Sequence, residues 1–481
     1  MEKINKIKLL PANCAVDLSD GSERGFYVDQ DYILRKLGRP HRAVNIMYCY
    51  YPKDKTWPKR AQDAFADMKV GFAWDYPYDN YFPYLGGIGG DTKGEPFTCM
   101  RDIRRHGQDV ILTLTCDPTV SDEHIIGIAK DLRTFGRMML RLNHECTGDW
   151  FSFNKRASYK EIADFYVRFH KIIKEYAPNV SMILCAGAAD KKNSEKIDLE
   201  DEFLEAFNTT EIWSIDKYIA LNWGWPYEVA EKDNHSHKRD SSVETYKCAK
   251  KTFDRLVKIC GGKKKPMVMS ELNADGDVTG PYTQVGIMKY FTRLIKEDPD
   301  RWLSAFCFYQ FRDDGRLGLE ITDPNNSGVG IEQPMLSAYR DIINDDFFKP
   351  GIKPDKKKGS LPVILRWGSS EDAEGISMDL EFESDPVFAE ANFEGTLVEA
   401  NLMMELNGMW FYKAPGVTFV DFMPAFFNKR LKNACTLKLN IFAPPATGEN
   451  DPEQGDGWDM DYTYEIKELP KIRLRFEPIC K

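Results

Sequence analysis

The sequence predicts a (β/α)8 barrel followed by an all-β domain. Between about residue 40 and residue 350, short apolar runs alternate with amphipathic stretches, a pattern typical of parallel β/α folds. Eight apolar runs occur there and no GxGxxG loop follows the first, which favours a closed barrel over an open doubly wound sheet. Beyond residue 350 the runs are short and alternating, so we expect a β-sandwich.

The barrel elements follow in order along the chain. The predicted strands are Ala43–Cys49, Val70–Trp74, Val110–Thr115, Met138–Leu142, Ser181–Ala186, Tyr218–Asn222, Pro266–Ser270 and Leu303–Tyr309. The predicted helices are Asp122–Phe135, Ser158–Tyr176, Ser242–Cys260, Gln284–Lys296 and Gln333–Ile343. Ser158–Tyr176 has the clearest pattern, because its apolar residues recur at helical spacing along one face.

A change of composition near residue 350 predicts the domain boundary. Lys349–Gly359 is rich in Pro, Lys and Gly, which is typical of a linker. We therefore divide the chain into a barrel domain with an N-terminal extension, residues 1–350, and a β-sandwich domain, residues 351–481. Predicted β segments of the second domain include Ser377–Phe382, Ala391–Met404 and Thr436–Phe442. The acidic loop Glu449–Asp461 lacks EF-hand spacing, so a solvated loop is favoured over a calcium site.

The net charge and the cysteines of the chain indicate which partners are excluded and in which compartment the protein is expected. The 481 residues carry a net charge of −10, which argues against nucleic acid and anionic membranes as partners. No apolar run is long enough to span a membrane, and the N-terminus does not resemble a signal peptide. The 11 cysteines form no CxxC pairs, which fits free thiols in a reducing compartment. We expect a cytoplasmic protein, or an extracellular one if a leader peptide was removed.

Two glutamates lie at predicted strand ends that face each other across the barrel mouth. Glu145 follows the fourth predicted strand and Glu271 follows the seventh. Functional groups of such barrels gather at the carboxyl ends of the strands. Glycoside hydrolysis needs two opposed carboxyl groups, one protonated and one ionised. Either glutamate alone is compatible with a surface ion pair, but together they predict Glu145 as general acid/base and Glu271 as nucleophile.

The residues around Glu145 resemble the fourth-strand motif of glycoside hydrolase family 26, whose best-known members are β-mannanases. Arg141, His144, Glu145 and Gly148 match that motif in spacing, as does the Trp150-Phe151 pair. The Ser270-Glu271 pair is similar to the family's nucleophile site. The resemblance covers roughly residues 40 to 345 and implies a retaining glycosidase in which the histidine contacts the sugar beside the nucleophile.

Two strand ends depart from the family pattern. At the sixth predicted strand Asn222 stands where the family has an aspartate, and the tyrosine that holds the nucleophile is displaced. At the eighth strand Tyr309-Gln310 stands where a tryptophan is expected. A neutral oligo- or polysaccharide, mannan-like as a first expectation, is the predicted substrate. The alternative is a non-catalytic carbohydrate-binding protein on a glycosidase-like barrel.

Further side chains at the predicted strand ends are expected to bind the sugar. They are Trp74, Asp75, Arg141, Asn143, His144, Trp150, Asn222, Trp223, Trp225 and Gln310. Tryptophan faces stack on sugar rings, and polar side chains hydrogen-bond hydroxyl groups. We predict no metal and no cofactor, because His235 and His237 lie in a charged loop and the His144-Glu145 pair is not part of an HExxH motif.

Overall fold

The structure is a computed structural model. It describes residues 3–21, 27–54, 81–148, 153, 156–189, 196–219, 240–274, 281–313, 318–367, 374–443 and 462–477. The predicted strand Val70–Trp74, the acidic loop Glu449–Asp461 and the histidines His235 and His237 lie outside these ranges.

Strand β1 (Lys3–Leu10) opens the chain, and the next eight strands close into a parallel barrel. The barrel strands are β2 (Ala15–Ser19), β3 (Ala43–Tyr50), β4 (Asp109–Cys116), β5 (Met138–Leu142), β6 (Val180–Cys185), β7 (Ile212–Ile219), β8 (Met267–Ala274) and β9 (Ala305–Phe308). Each pairs with the next, and β9 returns to pair with β2. The predicted fold class is confirmed.

Two assignments of barrel strands need correction. The first barrel strand is β2, which was not predicted because Asp17 and Ser19 interrupt its apolar pattern although all five residues are buried. The predicted strand Val70–Trp74 lies outside the described residues, so it stays a prediction; β3 pairs with β4 over eight residues. The sixth strand is Ile212–Ile219 and not Tyr218–Asn222. Its second half, after the apolar Ile212–Ile215 run, carries polar side chains, so a search for apolar runs misses it.

Eight helices of the described chain surround the barrel, one after each strand. They are α1 (Gln30–Leu37), α2 (Phe97–Arg105), α3 (Asp122–Leu132), α4 (Tyr159–Tyr176), α5 (Glu200–Thr209), α6 (Asp240–Ile259), α7 (Pro281–Glu297) and α8 (Pro334–Asn344). In α4, Ser158 and Glu161 form a capping box, which fixes the start of the helix where it was predicted. Among the described helices, none is both long and apolar enough to cross a bilayer.

Small strands and two further sheets complete the chain. Strands β10 (Arg312–Asp313), β11 (Glu320–Asp323) and β12 (Asn326–Glu332) form a sheet beside the barrel. The C-terminal strands are β13 (Gly351–Ser360), β14 (Val363–Trp367), β15 (Glu374–Phe382), β16 (Pro386–Asn392), β17 (Leu402–Leu406), β18 (Met409–Lys413), β19 (Phe419–Asp421), β20 (Cys435–Phe442), β21 (Tyr462–Ile466) and β22 (Lys471–Phe476), with the short helix α9 (Pro424–Phe427). Together with β1, these strands form an eight-stranded and a three-stranded sheet, whose side chains share one apolar core. The predicted segment Ala391–Met404 is therefore not one strand, because a 3-10 turn at Gly395–Leu397 separates β16 from β17.

The predicted linker is instead strand β13. It pairs with β1 at the edge of the eight-stranded sheet. Its lysines and Pro354 suit an edge strand, where charge and missing donors hinder pairing with other chains. Strand β1 also pairs with β15, so this part of the predicted N-terminal extension belongs to the C-terminal sheet. The division of the chain into two domains otherwise stays a prediction.

The C-terminal sheet contacts the barrel at its amino-terminal face. Trp410 donates a backbone hydrogen bond to Gly38 after α1 at 2.8 Å. The Tyr412 and His106 rings lie 4.0 Å apart. Trp367 and Trp410 share an apolar cluster with Leu34 of α1. This arrangement leaves the opposite face, where the strands end, to the barrel loops.

Candidate functional site

Three barrel strands, β5, β7 and β8, bring ionisable side chains together at the carboxyl-terminal face of the barrel. Arg141 lies near the end of β5, and His144 and Glu145 follow it. Asp216 of β7 is paired in register with Glu271 of β8. The structure thus brings together Arg141, His144 and Glu271 as predicted, and it adds Asp216, which sequence reasoning missed.

Glu271 is buried and bound by three donors. Arg141 Nη1 and His144 Nε2 both lie 2.7 Å from Glu271 Oε1. The Tyr218 hydroxyl donates to Oε2 at 2.5 Å. Burial alone would raise the pKa of Glu271, but His144 and Arg141 lower it well below its usual value. Glu271 is therefore held as a carboxylate with a fixed orientation.

A left-handed turn directs His144 toward Glu271. Asn143 and His144 have φ angles of 56° and 49°, a region that residues with a Cβ rarely adopt. The Asn143 side chain accepts a hydrogen bond from the Cys116 backbone at 2.7 Å, which holds the turn against β4. Tyr81 stacks on the His144 ring at 5.9 Å and its hydroxyl lies 3.3 Å from Nδ1. Burial alone would lower the pKa of His144, but the Glu271 carboxylate raises it above its usual value.

The structure corrects the prediction for the end of the sixth strand, where Asn222 was expected in place of the family's aspartate. Asp216 and Tyr218 occupy this strand instead. Because β7 begins at Ile212, Asp216 and Tyr218 lie two residues apart and point to the same side of the strand. Arg141 binds Asp216 as well as Glu271, and Ser270 Oγ donates to Asp216 Oδ1 at 2.6 Å. This strand therefore supplies both an acid and a tyrosine that binds Glu271. The Asp216-Lys217-Tyr218 sequence directly after the Ile212–Ile215 run was the signal that would have found them.

The environment of Glu145 is the opposite of that of Glu271. It is half-buried, and no hydrogen-bond partner of its carboxyl group occurs among the described residues. Burial and the negative charges of Asp216 and Glu271 raise the pKa of Glu145 to about 8. A cavity of about 790 Å³ opens beside Glu145 and Asp216, within the size range of sites for small ligands. At neutral pH Glu145 therefore holds a proton and faces open space.

The remaining predicted binding residues divide into two groups. Asn143 has the structural role described above, although its amide nitrogen has no partner among the described residues. Gln310 is fully buried after β9, and neither polar atom of its side chain has a hydrogen-bond partner in the described chain. Six residues lie outside the described ranges and stay predictions: Trp74, Asp75, Trp150, Asn222, Trp223 and Trp225.

His144, Asp216 and Glu271 also form a possible set of metal ligands. One ligand atom from each lies within 4.8 Å of the others. Arg141, however, already binds both carboxylates, and His144 binds Glu271. The guanidinium thus supplies the positive charge that a cation would bring to this cluster.

Comparison with known proteins finds likeness in structure and not in sequence. No known protein family matches the sequence, and no curated protein matches it. Among solved structures, a family 51 α-L-arabinofuranosidase from Bifidobacterium longum covers 90% of this chain and 96% of its own, with 10% identity and a TM-score of 0.46. A modular family 26 endo-β-1,4-mannanase from Cellulomonas fimi covers 88% and 89%, with 11% identity and a TM-score of 0.44. A family 26 β-mannanase from Bacteroides ovatus covers 70% and 90%, with 12% identity and a TM-score of 0.41.

Proposed function

We propose that this protein is a retaining glycoside hydrolase that cleaves β-glycosidic bonds, with Glu145 as general acid/base and Glu271 as nucleophile. The observation that carries this proposal is the contrast between the two carboxyl groups: Glu271 is bound by Arg141, His144 and Tyr218, whereas the half-buried Glu145 has no such partner among the described residues. Glu145 has a pKa of about 8, whereas the pKa of Glu271 is lowered. A pair of carboxyl groups whose environments separate their pKa values is what acid-assisted glycoside cleavage requires.

In the first step, Glu271 attacks the anomeric carbon while Glu145 gives its proton to the departing glycosidic oxygen. This forms a covalent glycosyl–enzyme and releases the leaving-group sugar. In the second step, the Glu145 carboxylate takes a proton from water, which attacks the anomeric carbon and releases Glu271. Arg141, His144 and Tyr218 hold the Glu271 carboxylate in one orientation throughout.

The proposed substrate is a neutral oligo- or polysaccharide, with a mannan-like sugar as the first candidate. The motif from Arg141 to Phe151 supports a relation to family 26. We also propose a reducing compartment such as the cytoplasm, since the ten cysteines that the structure describes are free thiols.

A substrate screen tests this proposal. Aryl glycosides and manno-, xylo- and gluco-oligosaccharides are incubated with the wild type and with Glu271→Gln, and released sugar is measured. We expect turnover of at least one β-linked substrate by the wild type only. Binding of a sugar without turnover of any substrate would instead favour a non-catalytic carbohydrate-binding protein.

Tyr218→Phe should weaken catalysis without abolishing it. A hydrogen bond to a charged group contributes about 1.5–3 kcal/mol, so we expect kcat/KM to fall roughly 10- to 100-fold. The Tyr218 hydroxyl helps to lower the pKa of Glu271, so its loss should move the acid limb of the pH–rate profile to higher pH. Tyr176→Phe, at the far end of α4, is the matched control and should leave the profile unchanged. An unmoved acid limb in Tyr218→Phe would contradict the assigned role.

Chelation should leave activity intact. Because Arg141 binds both carboxylates of the possible ligand set, the proposed mechanism needs no divalent cation. We expect the same kcat/KM before and after dialysis against EDTA, with metal content measured by elemental analysis. Loss of activity that returns on adding one metal would favour a metal-dependent hydrolase.

A further inference from the structure

A second cavity lies at the opposite end of the barrel from Glu145 and Glu271. Its volume is about 330 Å³. The barrel floor contributes Met139 and Ile212, and the C-terminal sheet contributes Trp367, Met403 and Trp410. The barrel floor and the C-terminal sheet therefore both line this cavity, and much of its wall is apolar.

Two arginines of this wall have hydrogen-bond donors to spare. Arg42 binds Asp17 through Nε and Nη2, which leaves Nη1 without a partner in the described chain. Arg137 binds Asp109 through Nε at 2.7 Å, which leaves both terminal nitrogens without one. The two side chains are 33% and 41% exposed, so solvent or a ligand reaches them. Asp109 lies between them, since its backbone also donates to the Arg42 carbonyl at 2.9 Å.

The charges around the cavity favour an anion. Asp109 is already bound by Arg104 at 2.6 Å as well as by Arg137. His41 is neutral, because burial lowers its pKa to about 3. The charged groups in or next to the wall are Arg39, Arg42, Arg104 and Arg137 against Asp17, Asp109 and Glu405. The positive charges outnumber the negative ones, and every carboxylate in the wall is already paired.

We propose that this cavity binds a small organic carboxylate with an apolar body, bridging the barrel floor and the C-terminal sheet. The carboxylate would accept from the spare N–H groups of Arg42 and Arg137, a charge-assisted geometry that guanidinium groups favour. The apolar body would lie against Trp367, Met403 and Trp410. This site is independent of the proposed glycosidase activity.

Calorimetry with two probes tests the proposal. The anion 4-phenylbutyrate and its neutral analogue 4-phenylbutanol are titrated into the wild type, Arg137→Gln and the control Arg430→Gln. The Arg430 side chain is 82% exposed, in the loop between α9 and β20. We expect the wild type and Arg430→Gln to bind the anion at least tenfold more tightly than the alcohol. Arg137→Gln should lose that preference. Bound anion should also raise the Tm of the wild type, because it contacts both parts of the chain.

Two outcomes with the wild type alone would overturn the proposal. One is no binding of either probe at millimolar concentration, and the other is equal affinity of the wild type for both. Ala12→Trp, which places a large side chain at a half-buried position of the cavity wall, should abolish binding of both probes. If that variant does not fold, Arg137→Gln decides, since Asp109 keeps its pairing with Arg104. Glu145→Gln should leave binding unchanged, and weaker binding there would place the probe in the other cavity and contradict the proposal.

Discussion

Glu271→Ala is expected to lose kcat/KM by several orders of magnitude on every substrate. In the proposed mechanism the substitution removes the group that forms the covalent intermediate, so even a good leaving group does not compensate for it. Glu271→Gln keeps the volume and should lose as much, which separates lost chemistry from lost packing against Arg141 and His144. Activity is measured with an activated aryl glycoside and with an oligosaccharide.

Rescue by added azide distinguishes a loss of catalysis in Glu271→Ala from damage to the fold. A small anion that enters the space left in Glu271→Ala should attack the anomeric carbon directly and give the inverted glycosyl azide. A loss smaller than tenfold in both variants, with unchanged Tm, would contradict the role of Glu271 as nucleophile.

Glu145→Ala is expected to damage different substrates by different amounts. Protonation of the leaving group matters most when that group is a poor one, so an activated aryl glycoside should keep much of its first-step rate and natural sugars should not. Added azide should rescue this variant with retained configuration, since it replaces the water that Glu145 would activate. Glu205→Ala, on the exposed side of α5, is the matched control. Equal losses for good and poor leaving groups would rule out Glu145 as the acid.

The pH profile tests the same residue. Glu145 acts as an acid only while protonated, and its pKa is about 8. The kcat/KM of the wild type for an oligosaccharide should therefore fall as the pH rises through about 8. This alkaline limb should vanish in Glu145→Ala.

The proposed catalytic pair could be predicted from the sequence because both glutamates come shortly after apolar runs that a simple pattern detects. β5 and β8 each begin with an uninterrupted apolar run, Met138–Leu140 and Met267–Met269. Since functional groups gather where barrel strands end, the residues after those runs were the ones to examine.

Asp216 and Tyr218 were missed for the opposite reason. They belong to β7 itself, in a half whose inward side chains are polar because they bind Arg141 and Glu271. Because these polar side chains interrupt the apolar pattern, the sequence predicts the strand at Tyr218–Asn222 instead. Strand β2 was missed for the same reason. Asp17 interrupts its apolar pattern, although the Asp17 carboxylate is buried in an ion pair with Arg42. The composition of β13 predicts a linker because lysine and proline are common both in linkers and in edge strands.

The proposed mechanism is a double displacement in which Glu271 and Glu145 act in turn. The measurement that tests it most directly is the anomeric configuration of the first product, followed by proton NMR before mutarotation. Two displacements at one carbon restore the starting configuration, so the account predicts a β-anomer from a β-glycoside. An α-anomer as the first product would mean that water attacks in a single step, and it would contradict the assignment of Glu271 as nucleophile.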